Sequence, residues 1–157
     1  MVEVLTDADV GRLLTPRRAL GWMREALLAM HRGELRSPPR VHTDLGGGRL
    51  VFTTGALAGK WFGYRSYDSF GVEPGEQVVV VHHATTGRVR GIAVGNELGP
   101  RRVGAIGGVA ADALARPDSR SLAVIGTGTQ AWAQLCAIAA VRDLSEVRVY
   151  SRGADRR

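Results

Sequence analysis

An α/β fold in two sections is predicted by three features of the sequence. Leu20, Met23, Leu27 and Met30 recur at the spacing of a helix with one buried face. Between residues 49 and 94, runs rich in β-branched and aromatic residues are separated by glycine-containing turns, the pattern of antiparallel strands. Near residue 121 the pattern changes, and a short apolar run leads through closely spaced glycines straight into a helical stretch. Residues 1–118 therefore read as an α+β section, and residues 119–157 as the first strand-helix-strand of a parallel sheet.

Val2 to Leu5 is a short strand. Thr6 and Asp9 form a capping-box-like pair that opens a helix to about Leu14. Thr15-Pro16 restarts helix, with Thr15 as N-cap and Pro16 in the first turn, and this second helix ends near Gly33. Its methionines suit core packing better than a ligand site. Ser37-Pro38-Pro39-Arg40 is extended, so Arg40 leaves a rigid segment and its guanidinium can be aimed. A carboxylate would fit it, and so would plain solvent.

Gly46 to Gly48 is a turn and Arg49 to Thr54 a strand. Trp61 to Phe70 is an aromatic strand, with Gly63, Arg65 and Tyr67 on one face and Phe62, Tyr64 and Phe70 on the other. Gly71 to Gly75 is a loop. Gln77–His83 and Arg88–Val94 make a hairpin around Thr85-Thr86-Gly87. His82 and His83 point to opposite faces, which makes them a poor metal pair; at least one is expected at the surface, and no other ligand cluster stands out. Gly99-Pro100 is expected to break the chain before a helix from Arg101 to Ala115, which Arg116-Pro117-Asp118 ends. Gly104, Gly107 and Gly108 weaken that helix, by about 1 kcal/mol each, and would allow a close approach to another helix or a ligand.

Leu122 to Ile125 suits a strand buried on both faces. Gly126, Thr127, Gly128, Thr129, Gln130 and Ala131 follow, and Gln130 to Ala140 is helical. A strand turning through G-x-G-x-x-A into a helix is the dinucleotide-binding fingerprint of a Rossmann-type domain. Gly126 permits the tight turn, Gly128 lets a pyrophosphate approach the backbone, and Ala131 allows close packing of helix on strand. The next strand, Val147 to Tyr150, ends at Ser151 and Arg152 instead of an acidic residue. A hydroxyl and a guanidinium there would bind a 2′-phosphate, which favours NADP over NAD; ordinary loop residues are the alternative. A complete doubly wound domain needs roughly 100 residues or more beyond such a fingerprint. The nucleotide-binding domain is therefore expected to be incomplete in this chain, and cofactor binding by the chain alone to be weak.

The net charge is +6 over 157 residues, and Lys60 is the only lysine. The arginines are scattered and not interleaved with aromatics, which argues against a nucleic-acid partner. Cys136 is alone in an apolar helix and reads as a buried, inert thiol. No run is long and apolar enough to span a bilayer, and no signal peptide is evident, so a cytoplasmic location is expected.

Several pieces, in order, resemble the ornithine cyclodeaminase/mu-crystallin family. They are P-P-R at Pro38–Arg40, G-Y-R at Gly63–Arg65, T-T-G at Thr85–Gly87, L-G-P-R-R-V-G-A at Leu98–Ala105 and I-G-T-G-T-Q-A at Ile125–Ala131. The resemblance implies a homodimer in which the N-terminal part is the substrate-binding and dimerisation domain. It also implies an NAD(P)-dependent oxidoreductase or deaminase acting at the C–N bond of a small amino or imino acid. Arg40 and Arg102 fall where the family has arginines for the substrate carboxylate, and Arg65 falls where it has a lysine near the reacting centre. The departures are that Arg65 cannot readily shuttle a proton, and that Gly99, Val103 and Gly104 replace threonine and alanine of the family motif. The family's catalytic aspartate would lie beyond this stretch, so no catalytic residue is assigned. A non-catalytic ligand or cofactor binder, or a remnant of the family, is the alternative.

Overall fold

The computed structural model describes residues 1–71 and 76–153. The loop expected at Gly71 to Gly75 lies, after its first residue, outside the described residues. The chain divides into two compact units: Met1–Leu13 with Ala26–Leu98, and Leu14–Glu25 with Gly99–Arg157.

The first unit begins with β1 (Glu3–Leu5) and α1 (Asp7–Leu13). Thr6 caps α1: its N–H donates to Asp9 Oδ2 at 3.1 Å, and the Asp9 N–H donates to Thr6 Oγ1 at 3.4 Å. The Thr6 N–H and the Thr6 hydroxyl, which also donates to Asp9 Oδ2 at 2.8 Å, followed by the Arg12 guanidinium, hold the Asp9 carboxyl below its ordinary pKa. Helix α2 (Pro16–His31) gives its first half to the second unit and its second half to the first. Gly33, at φ 73°, ends it. The Glu34 and Gly33 N–H groups donate to the Ala29 and Met30 carbonyls, a Schellman closure. Leu20 is buried, but Met30 is 50% exposed; in the last turn it is Ala29, at 5%, that is buried instead.

The strands β2 (Leu35–Arg36), β3 (Val41–Asp44), β4 (Arg49–Leu57), β5 (Trp61–Asp68), β6 (Gln77–His83) and β7 (Val89–Gly95) join β1 in one sheet. Its order is β1-β7-β6-β5-β4-β2, with β3 also paired to β4. Only β1–β7 is parallel. The aromatic strand ends at Asp68, two residues early, because Phe70 turns back over Gly48, where a Cβ would meet the Phe70 ring at 2.7 Å. Neither histidine of the β6 pair is fully exposed: His82 stacks on Phe62 at 4.7 Å and His83 meets Trp61 edge-on at 5.7 Å. The Asp7 carboxylate accepts the N–H groups of Asn96 (3.0 Å) and Glu97 (2.8 Å), tying the start of α1 to the end of β7.

The second unit holds α3 (Leu98–Leu114), β8 (Ser121–Ile125), α4 (Thr129–Ala139) and β9 (Glu146–Tyr150). Gly99-Pro100 does not precede α3 but lies in its first turn. A proline costs nothing there, because first-turn N–H groups have no partner within the helix. The three glycines of α3 face α4 or α2. A Cβ at Gly104 would run into the Ala133 carbonyl oxygen, one at Gly107 into the tip of Gln134, and one at Gly108 into Leu20 (2.6 Å) and Ala137 (3.0 Å). Ala105 and Ala137 are 1% and 3% exposed. Thus α3 belongs to the same compact unit as the nucleotide-type elements.

Strands β8 and β9 pair in parallel, Ser121 with Glu146 through Ile125 with Tyr150. The expected two-sided burial of β8 is not found. Leu122 and Val124 are half-buried, while Ser121, Ala123 and Ile125 are exposed, Ile125 at 87%. Ser121, Ala123 and Ile125 alternate with the half-buried pair, so they share one face of β8, and that face is left exposed among the described residues. Cys136 is half-buried rather than fully enclosed.

Candidate functional site

The glycine turn between β8 and α4 is built by the sequence around it. Gly126 sits at φ 112°, which a side chain would strain, and its N–H donates to the Tyr150 carbonyl at 2.8 Å. That bond ties the carboxyl ends of β8 and β9 together. Gly128 is the N-cap of α4 with φ −83° and ψ 179°, an ordinary extended conformation. A Cβ at Gly128 would meet nothing within 4 Å. The fold itself therefore makes no demand for glycine at 128. The open space suits a group that comes to the backbone from outside, as a pyrophosphate does. Among the described residues no side chain caps α4, so its first-turn N–H groups face the turn, where the helix dipole favours an anion. Thr127, Gly128, Thr129 and Gln130 are exposed and Ala131 is half-buried. Ser151 and Arg152 follow β9 directly, at the same end of the parallel pair as the turn; Ser151 is half-buried and Arg152 exposed.

In the first unit, two of the three arginines singled out in the sequence come together. Arg40, just before β3, donates from Nη1 to the Tyr67 hydroxyl at 3.0 Å. Arg65 places its guanidinium carbon 4.2 Å from the centroid of the Tyr67 ring. Arg65 and Tyr67 lie two residues apart on β5, so both project from one face of the sheet. Arg102 is in the first turns of α3, in the second unit, and is exposed. Its neighbour Arg101 is engaged structurally, donating from Nη1 to the Leu14 carbonyl at 3.1 Å.

Sequence reading passed over two residues here. Tyr67 was placed on the right face but given no role, since nothing local reveals a contact with a residue 27 positions away. Arg142 was not singled out at all. It spreads over the C-terminal turn of α3, with Nη1 on Asp112 Oδ1 at 2.8 Å and Nη2 on the carbonyls of Ala111 and Asp112 at 3.0 Å and of Ala115 at 3.1 Å. Among the described residues no three His, Cys, Asp or Glu side chains cluster as metal ligands, and no helix is long and apolar enough to cross a membrane.

Comparison with known proteins adds three findings. The sequence model of the ornithine cyclodeaminase/mu-crystallin family matches residues 2–156. Among curated relatives, an alanine dehydrogenase of Archaeoglobus fulgidus is 29% identical over 156 residues, 94% of this chain and 47% of the relative. A Delta(1)-pyrroline-2-carboxylate reductase of Bacillus cereus is 39% identical over 75 residues, 48% of this chain and 23% of the relative. Among solved structures, an archaeal alanine dehydrogenase dimer with bound NAD matches with a TM-score of 0.87 at 29% identity, over 96% of this chain and 48% of that one. The chain spans about half the length of the curated relatives it matches along most of its own length.

Proposed function

Because the chain belongs to the ornithine cyclodeaminase/mu-crystallin family, we propose that it carries the substrate-binding part and the first nucleotide-binding unit of an NAD(P)-dependent oxidoreductase or deaminase. The reaction is hydride transfer at the C–N bond of a small amino or imino acid bearing an α-carboxylate. The observation that carries the cofactor half is Gly128, whose missing side chain answers to nothing inside the protein. The nicotinamide, when bound, supplies the hydride acceptor or donor; the chain's own residues bind and orient. Backbone N–H groups from Thr127 to Ala131 hold the pyrophosphate, the Gly126 N–H being taken by the Tyr150 carbonyl, and Arg40, Arg65 and Arg102 are the candidates for the substrate carboxylate. Residues 1–118 serve as the substrate-binding and dimerisation domain and residues 119–157 as the start of the Rossmann domain. The amino- and imino-acid enzymes among the relatives support the substrate class. The dimeric neighbour supports a homodimer.

In this reading the cofactor is NADP. The matched archaeal enzyme holds NAD, so the preference rests on Ser151 and Arg152 alone, which offer a hydroxyl and a guanidinium where a carboxylate would repel the 2′-phosphate. Titrating the full-length protein with NADPH and NADH tests this, together with the variant Ser151→Asp. The parent should prefer NADPH and the variant should reverse the order. Equal affinities in the parent, or a variant that keeps the preference, would remove the specificity while leaving nucleotide binding intact. A second reading, a non-catalytic binder, is favoured by Arg65: it stands at the family's lysine position and holds its proton at every working pH. Ligand binding without turnover of any amino or imino acid would support that reading.

A further inference from the structure

Tyr67 touches both Arg40 and Arg65, with two different parts of its side chain. Its hydroxyl oxygen accepts from Arg40 Nη1 at 3.0 Å. The face of its ring lies 4.2 Å from the Arg65 guanidinium carbon. The sheet fixes the ring in turn, since Tyr67 pairs with Val51 of β4, which is 9% exposed, and with Gln77 of β6. Arg40 arrives from a different segment, stiffened by Pro38-Pro39.

We propose that Tyr67 is the positioning residue of the carboxylate site, holding the Arg40 and Arg65 guanidinium groups ready before substrate arrives. The inference rests on the reading of those arginines as carboxylate ligands. Two guanidinium groups gathered on one small anion repel each other while the site is empty. The negative face of an aromatic ring beside one, and a neutral hydroxyl accepting from the other, offset that repulsion without using a carboxylate that would compete with the ligand. Arg40 spends one of its five N–H donors on Tyr67 and keeps the rest. The arrangement also gives a reason for arginine at 65. A planar guanidinium stacks on a ring face, whereas a lysine would offer a compact point charge and no plane. Long arginine side chains lose rotamer freedom when they bind, and a ring that has already ordered them reduces that loss.

The probes are pyrrole-2-carboxylate and its uncharged partner pyrrole-2-carboxamide, titrated calorimetrically into the full-length protein. The variants are Tyr67→Phe, which keeps the ring and removes the hydroxyl, Tyr67→Leu, which removes both, and Arg40→Ala for reference. The parent should prefer the carboxylate. Tyr67→Phe should weaken carboxylate binding by about tenfold, and Tyr67→Leu by about thirtyfold, the scale of a charge-assisted hydrogen bond and of that bond plus a cation–π contact. Amide binding and melting temperature should change little in Tyr67→Phe. If Arg40→Ala loses the carboxylate preference but both Tyr67 variants keep it, Tyr67 is a bystander and the inference fails alone. If the Tyr67 variants lose amide and carboxylate binding equally, the residue supports the fold and the inference also fails. If the parent shows no carboxylate preference, the carboxylate reading fails and takes the inference with it.

Discussion

Arg142 shows how one residue can organise a unit. Its side chain is 9% exposed, and it satisfies three carbonyls at the end of α3 while pairing with Asp112. Asp112 also meets Arg24 of α2, so one carboxylate joins three segments of the second unit. Arg142→Ala should destabilise by about 2–3 kcal/mol, because the Asp112 and Ala115 carbonyls lose this donor, Ala111 keeping only the Ala115 N–H. Arg142→Lys should recover only part of this, since an ammonium cannot fan across several acceptors. Chemical denaturation of the three proteins measures both. The hydrogen bond from Arg142, ahead of that from Arg24, holds the Asp112 carboxyl below its ordinary value of 3.8. A carboxylate whose pKa is lower folded than unfolded stabilises the fold above that ordinary value. Its contribution fades as pH falls through the lower folded value. Melting temperature should therefore drop on acidification below about pH 4, and Asp112→Asn should show a smaller drop. Identical acid profiles would mean the pair contributes nothing. The Thr6–Asp9 box was legible in the sequence because its partners are three residues apart. Arg142 was not, because its partners lie about thirty residues upstream.

At the scale of elements, local chemistry marked most boundaries and tertiary packing decided the rest. The caps at Thr6 and Thr15 and the stop at Gly33 were readable from residue type. Strands β2 and β3 were not, since Leu35–Arg36 and Val41–Asp44 are short and become strands only by pairing with β4. The alternation along β5 set Arg65 and Tyr67 on one face, as the strand has them, while Arg65 was singled out only by its place in the family pattern. The α3 glycines were legible as points of close approach, though not which helix would approach. They also separate two effects. Gly104→Ala forces a methyl against the Ala133 backbone, which cannot yield, and should cost about 1–3 kcal/mol despite better helix propensity. Gly107→Ala meets only the end of the Gln134 side chain, which can swing aside. It should be close to neutral, or stabilising by up to about 1 kcal/mol. Thermal unfolding of the pair decides: a Gly107 variant as damaged as the Gly104 variant would contradict this packing.

For the molecule as a whole, the family was legible because several short motifs occur in the right order, and the match over residues 2–156 bears out that resemblance. Burial of β8 was not legible, because a sequence run reports what a strand could bury and not what is packed on it. On one face of the first unit's sheet the register brings together Val41, Leu50, Phe62 and Tyr64, exposed at 36–62%, an apolar patch of the kind that marks an interface. Light scattering of the full-length protein should therefore give the mass of a dimer, and a strict monomer at high concentration would count against that assembly. In the proposed function the Gly126–Ala131 turn holds a dinucleotide through its backbone. Gly128→Val isolates it, because φ at 128 is ordinary and a Cβ there meets nothing within 4 Å. The measurement is a fluorescence titration of NADPH and NADH into the full-length parent and this variant, with melting temperature as the control. Melting should fall only by the small cost of a poorer N-cap, while affinity for both nucleotides falls by at least about tenfold, as the branched side chain fills the space of the pyrophosphate. A variant that binds as the parent does, or a parent that binds neither nucleotide, would contradict the claim.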